Sequence, residues 1–305
     1  MQENLSIDSA HLNFSQDSLW VLNLCLAIIM FGIAIDIRWK DFKKVFVAPK
    51  ATFVGLLLQF VLLPASTFLL VWALRPSPSI ALGMMLVAAC PGGNISNFMT
   101  HLSKGNTALS VSLTSIGTLL AIVMTPLNLQ LWASLYPPTA MILREVSLDL
   151  WDVFRTISII IGIPLLLGMT LGNKYPHFAS RVSKGAKPFS IIVFALFVVV
   201  AFANNVDAFL QFIHLVIVIV FFHNLLALLL GYQVARLFKL RTEDRKTLAI
   251  ETGIQNSGLG LILIFGFFQG LGGMAIVAAW WGIWHIISGL ALSTYWSLNS
   301  AAQPS

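Results

Sequence analysis

Cys90-Pro91-Gly92-Gly93-Asn94-Ile95-Ser96-Asn97 interrupts an apolar run that otherwise extends from Ile80 to Leu102. Proline removes a backbone donor and clashes with the preceding turn, and adjacent glycines loosen the chain further, so a helix through this run breaks near its middle. A second interruption lies far downstream, at Glu251-Thr252-Gly253-Ile254-Gln255-Asn256-Ser257-Gly258, with Gly260 just after it. This whole polar stretch sits between apolar flanks and is expected to unwind as well.

The surrounding sequence says what kind of run is being broken. Of 305 residues, 58% are apolar and only 10% are charged, too few charges to cover a soluble surface. Windows of about 20 residues give nine hydrophobic segments: Leu19–Ile35, Ala51–Leu74, Ile80–Leu102, Thr107–Leu135, Val153–Leu171, Phe189–Ala203, Phe212–Val234, Thr247–Phe268 and Met274–Leu298. The fold class is therefore an all-α membrane protein with nine transmembrane helices. Connections are brief, which leaves no room for an inserted soluble domain.

Charge orients the spans, because Lys and Arg resist translocation. With the N-terminus outside and the C-terminus inside, only Arg75, Arg144 and Arg155 of the 18 Lys and Arg fall outside. The net charge of +6 is thus a property of cytoplasmic loops and does not imply a nucleic-acid partner. Met1 to Asp17 carries Glu3, Asp8 and Asp17 but no Lys or Arg; it reads as a short acidic tail, since a secretory signal needs a basic start. Cys25 and Cys90 both lie in apolar runs and imply neither a disulfide framework nor a zinc site.

Broken backbone at membrane depth is tolerated only where protein or water satisfies the freed groups. A single break can be a packing kink. Two polar breaks, an odd number of segments apart, place the second copy upside down relative to the first. Interrupted helices at matching positions of two inverted halves point to a transporter's binding site.

Glu251 is the acidic residue placed well inside a segment, whereas Asp36, Asp152 and Asp207 sit near segment ends. An intramembrane carboxylate is costly unless paired or functional. No basic residue lies at comparable depth, which leaves a bound cation or a proton, and the cation is the favoured reading. A hard ion takes oxygen ligands, and oxygen-bearing side chains are plentiful: Gln59, Ser96, Asn97, Gln255 and Asn256, with Ser110 and Thr114 at i, i+4 on one helix face. Each alone can be an interhelical hydrogen bond; their convergence on one acid is the signal. The breaks also create half-helix N-termini at Asn94 and near Asn256, where free N–H groups and the helix dipole favour an anion.

These two motifs resemble the signatures of the bile acid:sodium symporter family. Ile29-Met30-Phe31-Gly32, Gln59-Phe60 with Pro64, Gly105-Asn106 and Trp284-His285 add to the likeness, which runs from about Leu19 to Trp296. The resemblance implies inverted repeats with two broken crossing helices, a panel domain (residues 19–37 and 148–205) and a core domain (residues 46–136 and 209–299). An extracytoplasmic tail (1–18) and a cytoplasmic tail (300–305) complete the chain. It implies two Na+ ions, one held by Ser96, Asn97, Ser110, Thr114 and Glu251. The other would be held by Gln59, Glu251, Thr252, Ile254 and Gln255, partly through main-chain oxygens. Ile254 stands where relatives often have Met, a change a backbone ligand tolerates. Asn94 stands where many relatives have Thr, and Ile286 follows His285 where some have Asn. Asn94, Asn256 and His285 border the expected crevice for a small organic anion.

The implied activity is sodium-coupled symport of an organic anion by alternating access, in a multi-pass protein of a lipid bilayer such as a bacterial inner membrane. The main rival is a proton-coupled organic anion carrier using Glu251. An intramembrane enzyme is disfavoured by the lack of HExxH, of a paired membrane acid and of a Gly-x-Ser-x-Gly elbow. A channel is disfavoured by a single ion-linked acid in inverted halves.

Overall fold

The computed structural model describes residues 48–146, 149–182 and 205–301, with shorter pieces and single positions between residues 7 and 35 and between 184 and 192. Among the described residues the chain is helical throughout, its only strand-like pairing being one isolated bridge. The helices are α1 (Pro49–Leu74), α2 (Pro78–Ala89), α3 (Ile95–Leu102), α4 (Thr107–Leu135) and α5 (Pro137–Glu145). They continue with α6 (Leu150–Lys174), α7 (Val206–Leu237), α8 (Thr242–Gly253), α9 (Ser257–Phe267) and α10 (Gly272–Ala301). Within this set α1, α4, α6, α7 and α10 are long and apolar enough to cross a bilayer. The expected segments Leu19–Ile35 and Phe189–Ala203 lie largely outside the described residues.

Local sequence sets where helices bend and stop. α1 and α6 each contain a wide π turn, at Leu58–Leu62 and Ser158–Gly162, immediately before Leu63-Pro64 and Ile163-Pro164. Proline supplies no N–H to the ladder, so the helix widens by one residue there, and Gln59 sits in the widened turn of α1. Cys90 ends α2 in an extended conformation, φ −69° and ψ 154°, the region into which Pro91 forces its predecessor.

α2 and α9 are apolar and buried on nearly all sides, as expected of helices at the centre of a protein. With 12 and 11 residues they are too short to cross a bilayer alone. The long helices surround them and expose apolar faces: Phe53, Leu69, Leu131, Leu166 and Phe222 are each at least half exposed. Such side chains belong against lipid. This is an integral, multi-pass membrane protein.

One expectation is corrected. The second break is shorter than its polar stretch: Glu251, Thr252 and Gly253 form the last turn of α8, and Ser257, Gly258 and Gly260 already belong to α9. Only Ile254–Asn256 is unwound, because the i→i−4 bonds hold on either side of it. The connection after α4 contains α5, started by Pro137 at a position where a missing N–H costs nothing. The acidic tail does not hang free. Ile7 and Ala10 are buried, the Asp8 carboxylate accepts from the Ser79 N–H at 2.8 Å, and the Ala10 carbonyl accepts from the Gly272 N–H at 2.7 Å.

Candidate functional site

The two breaks lie against each other. Gly92 and Gln255 form an antiparallel bridge; the Gly93 N–H donates to the Ile254 carbonyl at 2.7 Å and the Asn256 N–H to the Pro91 carbonyl at 2.8 Å. Backbone freed by unwinding one helix is thereby satisfied by the other, as a low-dielectric interior requires. The close approach needs glycine. A Cβ on Gly93 would sit 3.0 Å from the Gln255 carbonyl oxygen, and one on Gly92 would sit 3.2 Å from Glu251 Oε2.

Glu251 is 6% exposed and points into this junction from the last turn of α8. Its Oε1 accepts from Ser96 Oγ on α3 at 2.5 Å and from Ser110 Oγ on α4. Thr114 Oγ1, one turn along α4, lies 3.1 Å from Oε2. Asn97 Oδ1 completes the group, 2.8 Å from Ser110 Oγ and 3.4 Å from Thr114 Oγ1. Ser96, Asn97, Ser110, Thr114 and Glu251 therefore form one cluster of oxygen atoms drawn from three helices. Among the described residues no basic side chain hydrogen-bonds or ion-pairs with this cluster. Asp152 and Asp207, by contrast, are exposed.

On the other side of the junction, the Gln59 amide nitrogen donates to the Cys90 carbonyl at 2.8 Å and to Gln255 Oε1 at 3.0 Å. Gln255 returns a bond to Gln59 Oε1 at 3.3 Å and donates to the Thr252 carbonyl at 2.7 Å. The Thr252 hydroxyl is committed to the Leu248 carbonyl, so only its main-chain oxygen faces Gln255. A small cavity lies here, lined by Gly55, Leu56, Gln59, Gly92, Leu113, Gly117, Glu251 and Thr252. The Ile254 side chain packs instead with Met99 and Ile250.

Asn94 and Asn256 are the N-caps of α3 and α9 and both are half-buried. They differ in use. Asn256 Oδ1 accepts the Leu259 N–H at 3.0 Å, whereas the Asn94 side chain makes no capping bond and the Ser96 and Asn97 N–H groups turn back to the Gly93 and Asn94 carbonyls at 3.0 and 3.3 Å. His285 is buried on α10, and its Nδ1 has no hydrogen-bond partner among the described residues. It shares a helix face with Gly282, packed on Ser257, and Gly289, packed on Met99 and Ile254. That face looks toward the breaks.

Several supporting residues escape a reading of the sequence. Thr125 on α4 donates to the Ala89 carbonyl at 2.8 Å, satisfying the end of α2. Asn224 on α7 does the same for Gly253 at the end of α8, and is itself held by Ser288. At the Thr107 end of α4, Asn106 donates to Asp244 at 2.7 Å and takes the Thr247 hydroxyl at its N–H at 2.8 Å, fixing the start of α4 to α8. Lys246 is also buried there and donates to the Ser103 carbonyl at 3.0 Å.

The donor set is oxygen only. Among the described residues no group of three or more His, Cys, Asp or Glu could hold a transition metal. Hydroxyls, an amide oxygen and one carboxylate match a hard monovalent cation.

Comparison with known proteins agrees in kind. Residues 23–212 match the Sodium Bile acid symporter family. The chain is 35% identical over 293 residues to YocS, an uncharacterized sodium-dependent transporter of Bacillus subtilis, covering 94% of this chain and 88% of that one. It is 29% identical to a probable chloroplastic sodium/metabolite cotransporter, BASS1, of Arabidopsis thaliana, over 91% of this chain and 67% of the relative. It is 30% identical to the human ileal sodium/bile acid cotransporter, over 78% of this chain and 67% of the relative. The chain belongs to the Sodium Bile acid symporter family and is a transporter, not an enzyme.

Proposed function

We propose that this member of the Sodium Bile acid symporter family moves a small organic anion across a membrane by symport with two sodium ions. The observation that carries the reading is Glu251, a buried carboxylate with no ion pair among the described residues, ringed by Ser96, Ser110, Thr114 and Asn97. A cation held there would be coordinated by the lone pairs of the hydroxyls, whose protons now go to the carboxylate and would turn elsewhere. Gln59, the Thr252 and Ile254 carbonyls and Gln255 form the companion sodium site, sharing Glu251.

Binding of both ions would cross-link the two breaks and bring the half-helix ends at Asn94 and Asn256 into register. The Asn94 end of α3 has no side-chain cap and its helix dipole favours an anion, and His285 borders the same region. Cation and anion together neutralise each other in a low-dielectric site, so the loaded carrier reorients more readily than one holding either ion alone. The panel and core arrangement, the inverted repeats and the N-out, C-in orientation in a bacterial inner membrane belong to the same reading.

The substrate class is tested first by thermal unfolding of the purified protein against conjugated steroids, keto acids and coenzyme precursors, in sodium and then in potassium. The best anion is then followed into proteoliposomes. Accumulation under an inward sodium gradient, absent in choline, is the expected result. Equal uptake in both salts ends the sodium reading. Uptake that tracks pH and ignores sodium moves the coupling role to a proton on Glu251.

A further inference from the structure

Ser110, Thr114 and Gly117 follow one another at i, i+4 and i+7 on one face of α4. The first two give their hydroxyls to Glu251. The third gives nothing, and among the described residues its position is buried yet empty: a Cβ built there meets none of their atoms within 4 Å. Most buried glycines in this protein mark close helix contacts. Gly55 opposite is one, with a Cβ placed 2.7 Å from Leu113 and 2.9 Å from Leu248. Gly117 instead borders the cavity that reaches Glu251, Gln59 and Thr252.

The groups around that space are already committed elsewhere. Thr252 turns its hydroxyl back to Leu248, and the Gln59 amide is tied to Cys90 and Gln255. Glu251 Oε2 carries one hydroxyl contact, from Thr114, while Oε1 takes those of Ser96 and Ser110. Glu251, Gln59 and Thr252 all line the void. Empty space beside a carboxylate and an amide is polar enough to hold water, unlike a dry apolar cavity.

We infer that Gly117 keeps open an antechamber, about one water molecule or one dehydrated alkali cation in size, against Glu251, so that side-chain volume at position 117 sets access of sodium to the site. The inference rests on the sodium reading above. It adds a residue with no ligating atom, whose contribution is the absence of a side chain.

The test is a sodium titration of thermal unfolding for the wild type, Gly117→Ala and Gly117→Val, in choline at constant ionic strength. Gly266→Val is the control, because Gly266 also has open space around its Cβ but is exposed on α9, away from the cavity. The expected result is a sodium midpoint raised about threefold by Ala and tenfold or more by Val, where tenfold corresponds to about 1.4 kcal/mol. Unfolding in choline should be unchanged or higher, since the added methyls fill space, and the control should match wild type. Gly117→Ala keeps the test open if Val disturbs folding. Midpoints equal to wild type in both Gly117 variants overturn the antechamber while leaving sodium coupling standing. A wild type indifferent to sodium overturns both.

Discussion

The Asn224 side-chain amide donates to the main-chain carbonyl of Gly253 at 2.7 Å, and Ser288 donates to the Asn224 carbonyl at 2.6 Å. Gly253 is the last residue of α8, so its carbonyl has lost its helical partner at the point where the chain unwinds. A short relay from α10 through α7 thus fixes the residue that precedes Ile254 and Gln255. Thr125 holds the Ala89 carbonyl at the other break in the same way. Neither relay touches the proposed ions; each satisfies a main-chain carbonyl at the edge of a break.

Replacing Asn224 with Ala leaves a buried carbonyl without a donor, at a cost of about 1–3 kcal/mol. The expected outcome is a sodium midpoint raised several-fold, with maximal transport at saturating sodium largely retained. Asn224→Asp should behave like Ala, because a carboxylate cannot donate to the carbonyl. Ser288→Ala should be milder. A lowered melting temperature with an unchanged sodium midpoint would reduce Asn224 to a packing residue.

Glu251→Gln separates charge from shape. Glutamine preserves the outline of the side chain and can still accept from Ser96 and Ser110, but it removes the negative charge. Sodium-driven accumulation should vanish in Glu251→Gln and in Glu251→Ala alike. The melting temperature in choline should rise in Glu251→Gln, since burying a charge is expensive. Retained sodium-dependent uptake in either variant would dismiss the carboxylate as the coupling group.

Ser110 and Thr114 share two acceptors, Glu251 and Asn97. Their effects should therefore fail to add. A double-mutant cycle with Ser110→Ala and Thr114→Ala, read as the sodium midpoint, should show a coupling energy above about 0.5 kcal/mol. Additive losses would mean that the hydroxyls serve separate sites.

Pro91 made the first break legible, because a proline dictates the conformation of the residue before it and so places the break at Cys90. The second break has no proline. Polar density around Glu251 located it to a stretch but could not say that Glu251, Thr252 and Gly253 stay helical while only three residues unwind. Helical spacing brought Ser110 and Thr114 together, and the same spacing would have reached Gly117 had an absent side chain been counted as a signal. Asn224, Ser288 and Thr125 were invisible for a different reason. Their partners are main-chain carbonyls on other helices, and a carbonyl leaves no mark in the sequence. The docked segment at Ile7–Ala10 was hidden likewise, since Asp8 caps a helix that begins some seventy residues later.

Gln59 is the side chain that touches both breaks, bonding the Cys90 carbonyl after α2 and the Gln255 amide after α8. Its position in the π turn of α1 makes this reach depend on Pro64, which prevents regular helix there. Two substitutions divide its roles. Gln59→Met fills similar volume but removes both donors, leaving the Cys90 carbonyl without its donor. Gln59→Glu keeps the acceptor oxygens, loses the donors and adds a second negative charge beside Glu251. If the amide serves only to stitch the breaks, both variants should lose stability in choline and sodium should rescue neither. If its oxygen also faces a cation, Gln59→Glu should be destabilised in choline and recover in sodium, while Gln59→Met should not recover. The difference in melting temperature between the two salts, measured for each variant, decides which role the residue has. The sodium reading requires recovery in Gln59→Glu alone.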